Sequence, residues 1–152
     1  MTEPRTGVCL DASVVVALVT QEHGWQAIRR LVARPDVRCV LPGSVMTEVI
    51  HVSHRKGNRA SGEEIRRALT ALGVDIEPAA PSDLVRAAEL IEMSDAFPGS
   101  ADPLIGVRST LSLGDALALA VTERLGYPAL TRDVYWKWLA DQGHLNVKVV
   151  IV

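Results

Sequence analysis

Apolar positions along the chain alternate between short unbroken runs and helical stripes, with breakers at nearly every junction. Val8-Cys9-Leu10 reads as a buried strand that stops at Asp11. The β-branched run Val14 to Val19 leads into Trp25, Ile28, Leu31 and Val32, which recur with a helical period. The stretch from Ser13 to Arg34-Pro35 is therefore expected to be helical. Val37 to Leu41 gives a second strand, closed by Pro42-Gly43. A helix from Ser44 to about Lys56 follows, with Val45, Val49 and Val52 on one stripe and Gly57 at its end. Ser61-Gly62-Glu63-Glu64 places a serine three residues before a glutamate, a capping-box pattern, and opens a helix that Gly73 stops.

Val74 to Glu77 alternates and reads as a strand, and Ser82 is expected to cap a helix from Asp83 to Met93. Ser94 to Thr110 holds two prolines, two glycines and little periodicity. It is the longest expected loop, of a length usually tied to function or mobility. Ser112 to Asp115 repeats the capping signature before an Ala- and Leu-rich helix ending at Gly126. Ala129-Leu130-Thr131 is a strand leading to Asp133, then a short helix bearing Tyr135, Trp136 and Trp138. Val147 to Val152 closes the chain as a strand. Strands separated by helices imply an α/β domain, layered α/β/α, with a mostly parallel central sheet and right-handed crossovers. With no repeat or linker, the 152 residues suit one domain, residues 1–7 being a tail.

Composition narrows the class. A 48% hydrophobic content excludes overall disorder. The longest apolar runs, Val14–Val19 and Ala116–Val121, reach six residues, against about 20 for a membrane span. Residues 1–7 hold no apolar stretch of the secretory kind, so a cytoplasmic protein without membrane contact is expected. The net charge of −2 supplies no global basic field for a polyanion, and 4% aromatics argues against a broad base-stacking platform. Cys9 and Cys39 lie in apolar segments at no metal-binding spacing and read as buried thiols.

Candidate chemistry collects at expected strand ends, where parallel sheets bind ligands. Asp11 ends the first strand, and Asp133 follows the strand containing Leu130. Glu48 sits one turn into the helix after the second strand, and Asp115 in the first turn of its own helix, where the dipole favours a carboxylate. Four ionised carboxylates together need either protons or a hard cation. Oxygen donors of this kind suit Mg²⁺ or Mn²⁺, which lower the pKa of water and offset charge at a phosphodiester. His51 and His54 read as an exposed helical face. Arg55, Lys56, Arg59, Arg66 and Arg67 form a basic run that is either solvated surface or phosphate-contacting. Tyr135, Trp136 and Trp138 read as core or partner-binding groups rather than base-stacking ones.

Leu10-Asp11-Ala12-Ser13, Met46-Thr47-Glu48-Val49, Leu113-Gly114-Asp115-Ala116-Leu117-Ala118-Leu119-Ala120 and Leu130-Thr131-Arg132-Asp133 together resemble the PIN-domain nucleases. Size and spacing are most similar to the VapC toxins of bacterial toxin–antitoxin pairs, from Val8 to Val152. The resemblance implies a PIN fold and endoribonuclease activity dependent on Mg²⁺ or Mn²⁺. It further implies an RNA substrate, a cognate antitoxin that blocks the site, and commonly a homodimer. Carried over, Asp11, Glu48, Asp115 and Asp133 are the catalytic, metal-binding acids, with Ser13 and Thr131 as hydroxyls that orient them. Ser94 to Thr110 fits the family pattern least well. Two other classes stay open: a receiver-like signalling domain that gathers acids around Mg²⁺, and a non-catalytic PIN module that binds a protein partner.

Overall fold

Five strands form one sheet in the computed structural model, which describes residues 6–100 and 108–152. They are β1 (Thr6–Leu10), β2 (Val37–Pro42), β3 (Val74–Glu77), β4 (Ala129–Thr131) and β5 (Val149–Ile151). Their order is β3-β2-β1-β4-β5, and every neighbouring pair is parallel. Parallel neighbours need crossovers. Helices supply them: α1 (Ala12–Val19), α2 (Trp25–Val32), α3 (Gly43–Arg55), α4 (Gly62–Ala71), α5 (Pro81–Ala96), α6 (Leu113–Leu125) and α7 (Val134–Asp141). The expected α/β class with a flanked parallel sheet is what forms. Receiver-type sheets run 2-1-3-4-5, so this order removes the receiver alternative.

Burial on both faces explains the unbroken apolar strands. Val8 to Leu10 and Cys39 to Leu41 are all buried, both thiols included, and burial pushes the Cys39 thiol up to about 11. Helix α3 packs against α1 and α6, and α6 against α5, around Val14, Val15, Val49, Leu90 and Leu119.

The structure corrects five expectations. The helix expected from Ser13 to Arg34 is two, broken at Thr20–Gly24, where Gln21 (φ 54°) and Gly24 (φ 86°) adopt left-handed backbone. Helix α1 is buried almost all round, whereas α2 buries only Ile28 and Val32, so one straight rod cannot satisfy both faces. Helix α5 starts at Pro81, whose fixed φ suits the first position, and Asp83, not Ser82, accepts the Ala80 N–H at 2.7 Å. It runs on to Ala96 because Leu90 and Ser94 stay buried, so the long loop starts only at Phe97; residues 101–107 of it lie outside the described ones. Thr6 and Gly7 belong to β1 rather than to a tail, while residues 1–5 lie outside the described residues. A Cβ on Gly7 would sit 2.3 Å from the Tyr127 ring, so only glycine lets that ring cover the strand. Strand β5 is shorter than 147–152, although the Lys148 carbonyl still accepts the Ala129 N–H at 2.8 Å.

Candidate active site

The strand order reverses between β1 and β4, which lie on opposite sides of the chain's progress across the sheet. A crevice opens at such switch points, beyond the carboxyl ends of the strands. Here it is a cleft of about 430 Å³ that holds Asp11, Glu48, Asp115 and Asp133 together, along with Ser13, Glu22, Val52, Lys56, Ser112 and Arg132. All four acids picked out in the sequence thus face one cavity, from four separate elements.

Asp11 follows β1 and caps α1, accepting the Ala12 N–H at 2.7 Å. Its other oxygen accepts the Thr131 hydroxyl at 2.7 Å and the Ser13 hydroxyl at 3.0 Å. Those hydroxyls in turn accept the N–H groups of Asp133 (2.9 Å) and Arg132 (3.1 Å). Two short relays therefore lock the Asp11 carboxylate to the end of β4, although 120 residues separate it from Thr131 in the chain. Asp133 caps α7 through the Tyr135 N–H at 2.8 Å. Asp115 completes a capping box with Ser112, accepting its N–H at 3.0 Å.

Glu48 reaches the cleft from α3, with its carboxylate beside the start of α6: a Cβ on Gly114 would lie 3.9 Å from Glu48 Oε2. The Ser44 hydroxyl donates to the Gly114 carbonyl at 3.3 Å and fastens the two helix starts together. Ser44 was not singled out in the sequence, where it reads as an ordinary helix start. Lys56 and Arg132 were also not assigned to the cleft, yet each carried a signal. Glu48, Val52 and Lys56 lie four apart on one face of α3, and Arg132 directly precedes Asp133. Of the rest of the basic run, Arg66 and Arg67 are paired to Glu63, and Arg55 and Arg59 do not line the cleft. The His54 ring hydrogen-bonds the Ala60 carbonyl at 2.8 Å, and His51 is exposed, so neither histidine joins the acids.

Charge in the cleft is under-compensated. Burial raises the Asp11 carboxyl above its ordinary range against the pull of its hydrogen bonds, and Asp133 adds to the rise. Burial also raises Asp115, with the charges of Asp11 and Asp133 contributing. Glu48 is raised by desolvation among the cleft walls, then by Asp115 and Asp11, although its outer edge stays open to solvent. The donor set is all hard oxygen, without cysteine or histidine, a chemistry that suits Mg²⁺ or Mn²⁺ better than Zn²⁺. Among the described residues no three such side chains form a ready-made tight cage.

The raised groups bind protons more tightly folded than unfolded. They withdraw stability as the pH climbs from about 4 through their raised folded values. Groups shifted downward act in a different window: Glu63, pulled to about 2 by Arg66 and Arg67, loses its contribution only as the pH falls below its unfolded value. Metal-free protein is therefore expected to lose stability as the pH rises above about 4, and Asp115→Asn to flatten the decline. Urea unfolding in EDTA across that range checks this; an identical pH dependence in the variant contradicts it.

The PIN domain family profile matches residues 8–141 of the chain. Among curated proteins, no sequence matches. Solved structures do. VapBC2 from Rickettsia felis, bound to a promoter DNA fragment, aligns over 96% of this chain and 98% of its own at 13% identity (TM-score 0.65). VapC20 from Mycobacterium tuberculosis, a toxin that cleaves the sarcin–ricin loop, aligns over 93% and 98% at 16% identity (TM-score 0.66). VapBC-1 from nontypeable Haemophilus influenzae aligns over 96% and 98% at 14% identity (TM-score 0.63). At such identities the likeness is one of fold.

Proposed function

Because the chain belongs to the PIN-domain family, we propose that it is a divalent-metal-dependent endoribonuclease, the toxin of a toxin–antitoxin pair. The observation that carries this reading is the convergence of Asp11, Glu48, Asp115 and Asp133 on one cleft at the switch point of the sheet. In this reading those four acids hold one or more Mg²⁺ or Mn²⁺ ions. Such a cation, when bound, supplies Lewis acidity at the phosphate and a lowered pKa for water.

The reaction is hydrolysis of a phosphodiester. A water oxygen bonds to phosphorus, the bond to the 3′ oxygen breaks, and a proton reaches that oxygen, leaving a 5′-phosphate and a 3′-hydroxyl. Asp11 is the most rigid of the acids, since Thr131, Ser13 and Ala12 N–H fix both of its oxygens. Asp115 and Asp133 are tied to helix starts, so three of the four carboxylates are placed before substrate arrives. Such preorganisation removes reorganisation from the reaction barrier. Glu48, on the open edge, is the acid best placed to take up a proton from water.

The similarity to toxin–antitoxin structures supports a protein antitoxin as partner; in this reading the antitoxin covers the cleft and the toxin is a homodimer acting on RNA in the cytoplasm. Among the described residues no helix is long and apolar enough to cross a membrane. Digestion of a mixed RNA pool in Mg²⁺ or Mn²⁺, with the cut ends mapped, tests the activity. Internal cuts with 5′-phosphates, abolished by EDTA, are expected. Intact RNA in both ions, with a partner protein still bound, would favour a non-catalytic PIN module instead.

A further inference from the structure

Three distant parts of the chain meet at the mouth of the acidic cleft. Glu22 stands in the turn between α1 and α2, Lys56 ends α3, and Arg132 links β4 to α7. The Lys56 ammonium is paired with one Glu22 oxygen. Arg132 Nη1 lies 3.6 Å from the other, while Arg132 Nη2 donates to the His23 carbonyl at 2.6 Å. Among the described residues, Lys56 and Arg132 are the cationic side chains lining the cleft.

Stability does not account for this convergence. Side chains here are 31% to 46% exposed, and exposed ion pairs contribute little, about 0–1 kcal/mol. Charge gives a better reason. Five carboxylates, Glu22 included, face the cleft against two cations, and the whole chain carries −2. A polyanion approaching that opening meets repulsion unless cations stand at its edge. Both heads keep donors to spare: an ammonium has three and a guanidinium five, and Glu22 and His23 engage only part of them. A guanidinium fork also matches two phosphate oxygens.

We propose that Lys56 and Arg132 grip the phosphodiester backbone of the RNA strand entering the cleft, and that Glu22 is the positioning residue holding both cationic heads at its mouth. This rests on the nuclease reading above.

The test is the KM and kcat of a single-stranded RNA oligonucleotide cleaved in Mn²⁺, measured from low to moderate KCl where chemistry limits turnover and KM reports binding. Lys56→Ala and Arg132→Ala are each expected to raise KM about tenfold with kcat within about threefold, and to flatten the log KM against log salt slope by about 0.7 each. The double variant should lose about 1.4 of slope. Glu22→Ala should raise KM yet keep the wild-type slope, because both cations remain. Arg34→Ala, which removes a cation before β2 at the opposite end of the sheet, should change neither quantity. Melting temperatures of all variants confirm that each is folded. An unaltered slope in the double variant, a fall in kcat with KM unchanged, or an equal loss of slope in Arg34→Ala overturns the proposal. A lower KM in Glu22→Ala overturns the role of Glu22. Wild-type protein that neither binds nor cleaves RNA overturns the nuclease reading and this one together, whereas any of the other outcomes leaves the nuclease reading standing.

Discussion

Asp11→Asn is expected to reduce RNA cleavage by at least about a hundredfold while leaving the fold in place. Of the four candidate site acids, the carboxylate it replaces is the one with hydrogen bonds at both oxygens among the described residues, from the Thr131 and Ser13 hydroxyls and the Ala12 N–H. Asparagine keeps an acceptor for Ala12 but loses the charge that a hard cation requires. Its amide N–H groups would face two hydroxyls that already accept backbone N–H groups from Arg132 and Asp133. Each hydroxyl has a second lone pair, so the network rearranges rather than collapses. Relief of the burial penalty that raises the Asp11 carboxyl offsets part of the lost bonding. The net change in EDTA is expected to stay within about 1 kcal/mol.

Mn²⁺ separates the variant from wild type. At a hundred times its dissociation constant a ligand that binds only the folded state adds about 2.7 kcal/mol. Wild-type protein should gain that stability and Asp11→Asn should not. Melting curves of both proteins, with and without saturating Mn²⁺, decide the matter. Coincident curves for wild type in the two conditions sink the metal site, and a variant that cleaves normally sinks the role of Asp11.

Trp136→Ala should cost about 3–5 kcal/mol, which lowers the melting temperature of a chain this size by about 10 °C. Trp136 is 1% exposed, inside the core where α7 packs against β5. Among the described residues its indole N–H has no hydrogen-bond partner, so the expected cost is one of packing. The loss should reach the acidic cleft as well, because α7 carries Asp133 at its cap. Trp138, two residues on, is 39% exposed and lies against Tyr135 and His144 on the surface. Trp138→Ala should therefore cost far less stability, and urea titrations of the two variants measure the difference. Equal losses would mean that Trp138 carries packing energy its exposure does not suggest.

Those two tryptophans show where the sequence stops being informative. As neighbours on a short helix they read alike, as core or partner-binding groups. Their separation depends on which side of α7 meets the sheet, and that is decided by where the next strand, β5, pairs beside β4. The break between α1 and α2 was hidden for the same reason. A helical period continues through Trp25, but the burial of the two halves differs, and only packing against α3 and the sheet reveals it. The start of α5 was misplaced because serine and proline compete as start signals, and Pro81 with the Asp83 carboxylate prevailed.

Local features were legible. Val8-Cys9-Leu10 ending at Asp11, the Ser61–Glu64 and Ser112–Asp115 capping boxes, and the glycines closing α3 and α6 depend on neighbouring residues alone, and each stands where its local chemistry put it. The alternation of strand and helix was enough to imply a parallel sheet, since parallel neighbours need crossovers. Four acids at strand ends and helix starts were legible too, because strand ends in such sheets share one side of the molecule.

The tertiary structure alone decided the strand order β3-β2-β1-β4-β5, and with it the crevice beside β1. It alone brought Thr131 within 2.7 Å of Asp11 and set Glu22, Lys56 and Arg132 against one another. The physical reason is one of range. Propensities, caps and periodicity act over a few residues, whereas these contacts join segments from 34 to 120 positions apart, and such contacts exist only once the core has fixed how the elements lie against one another.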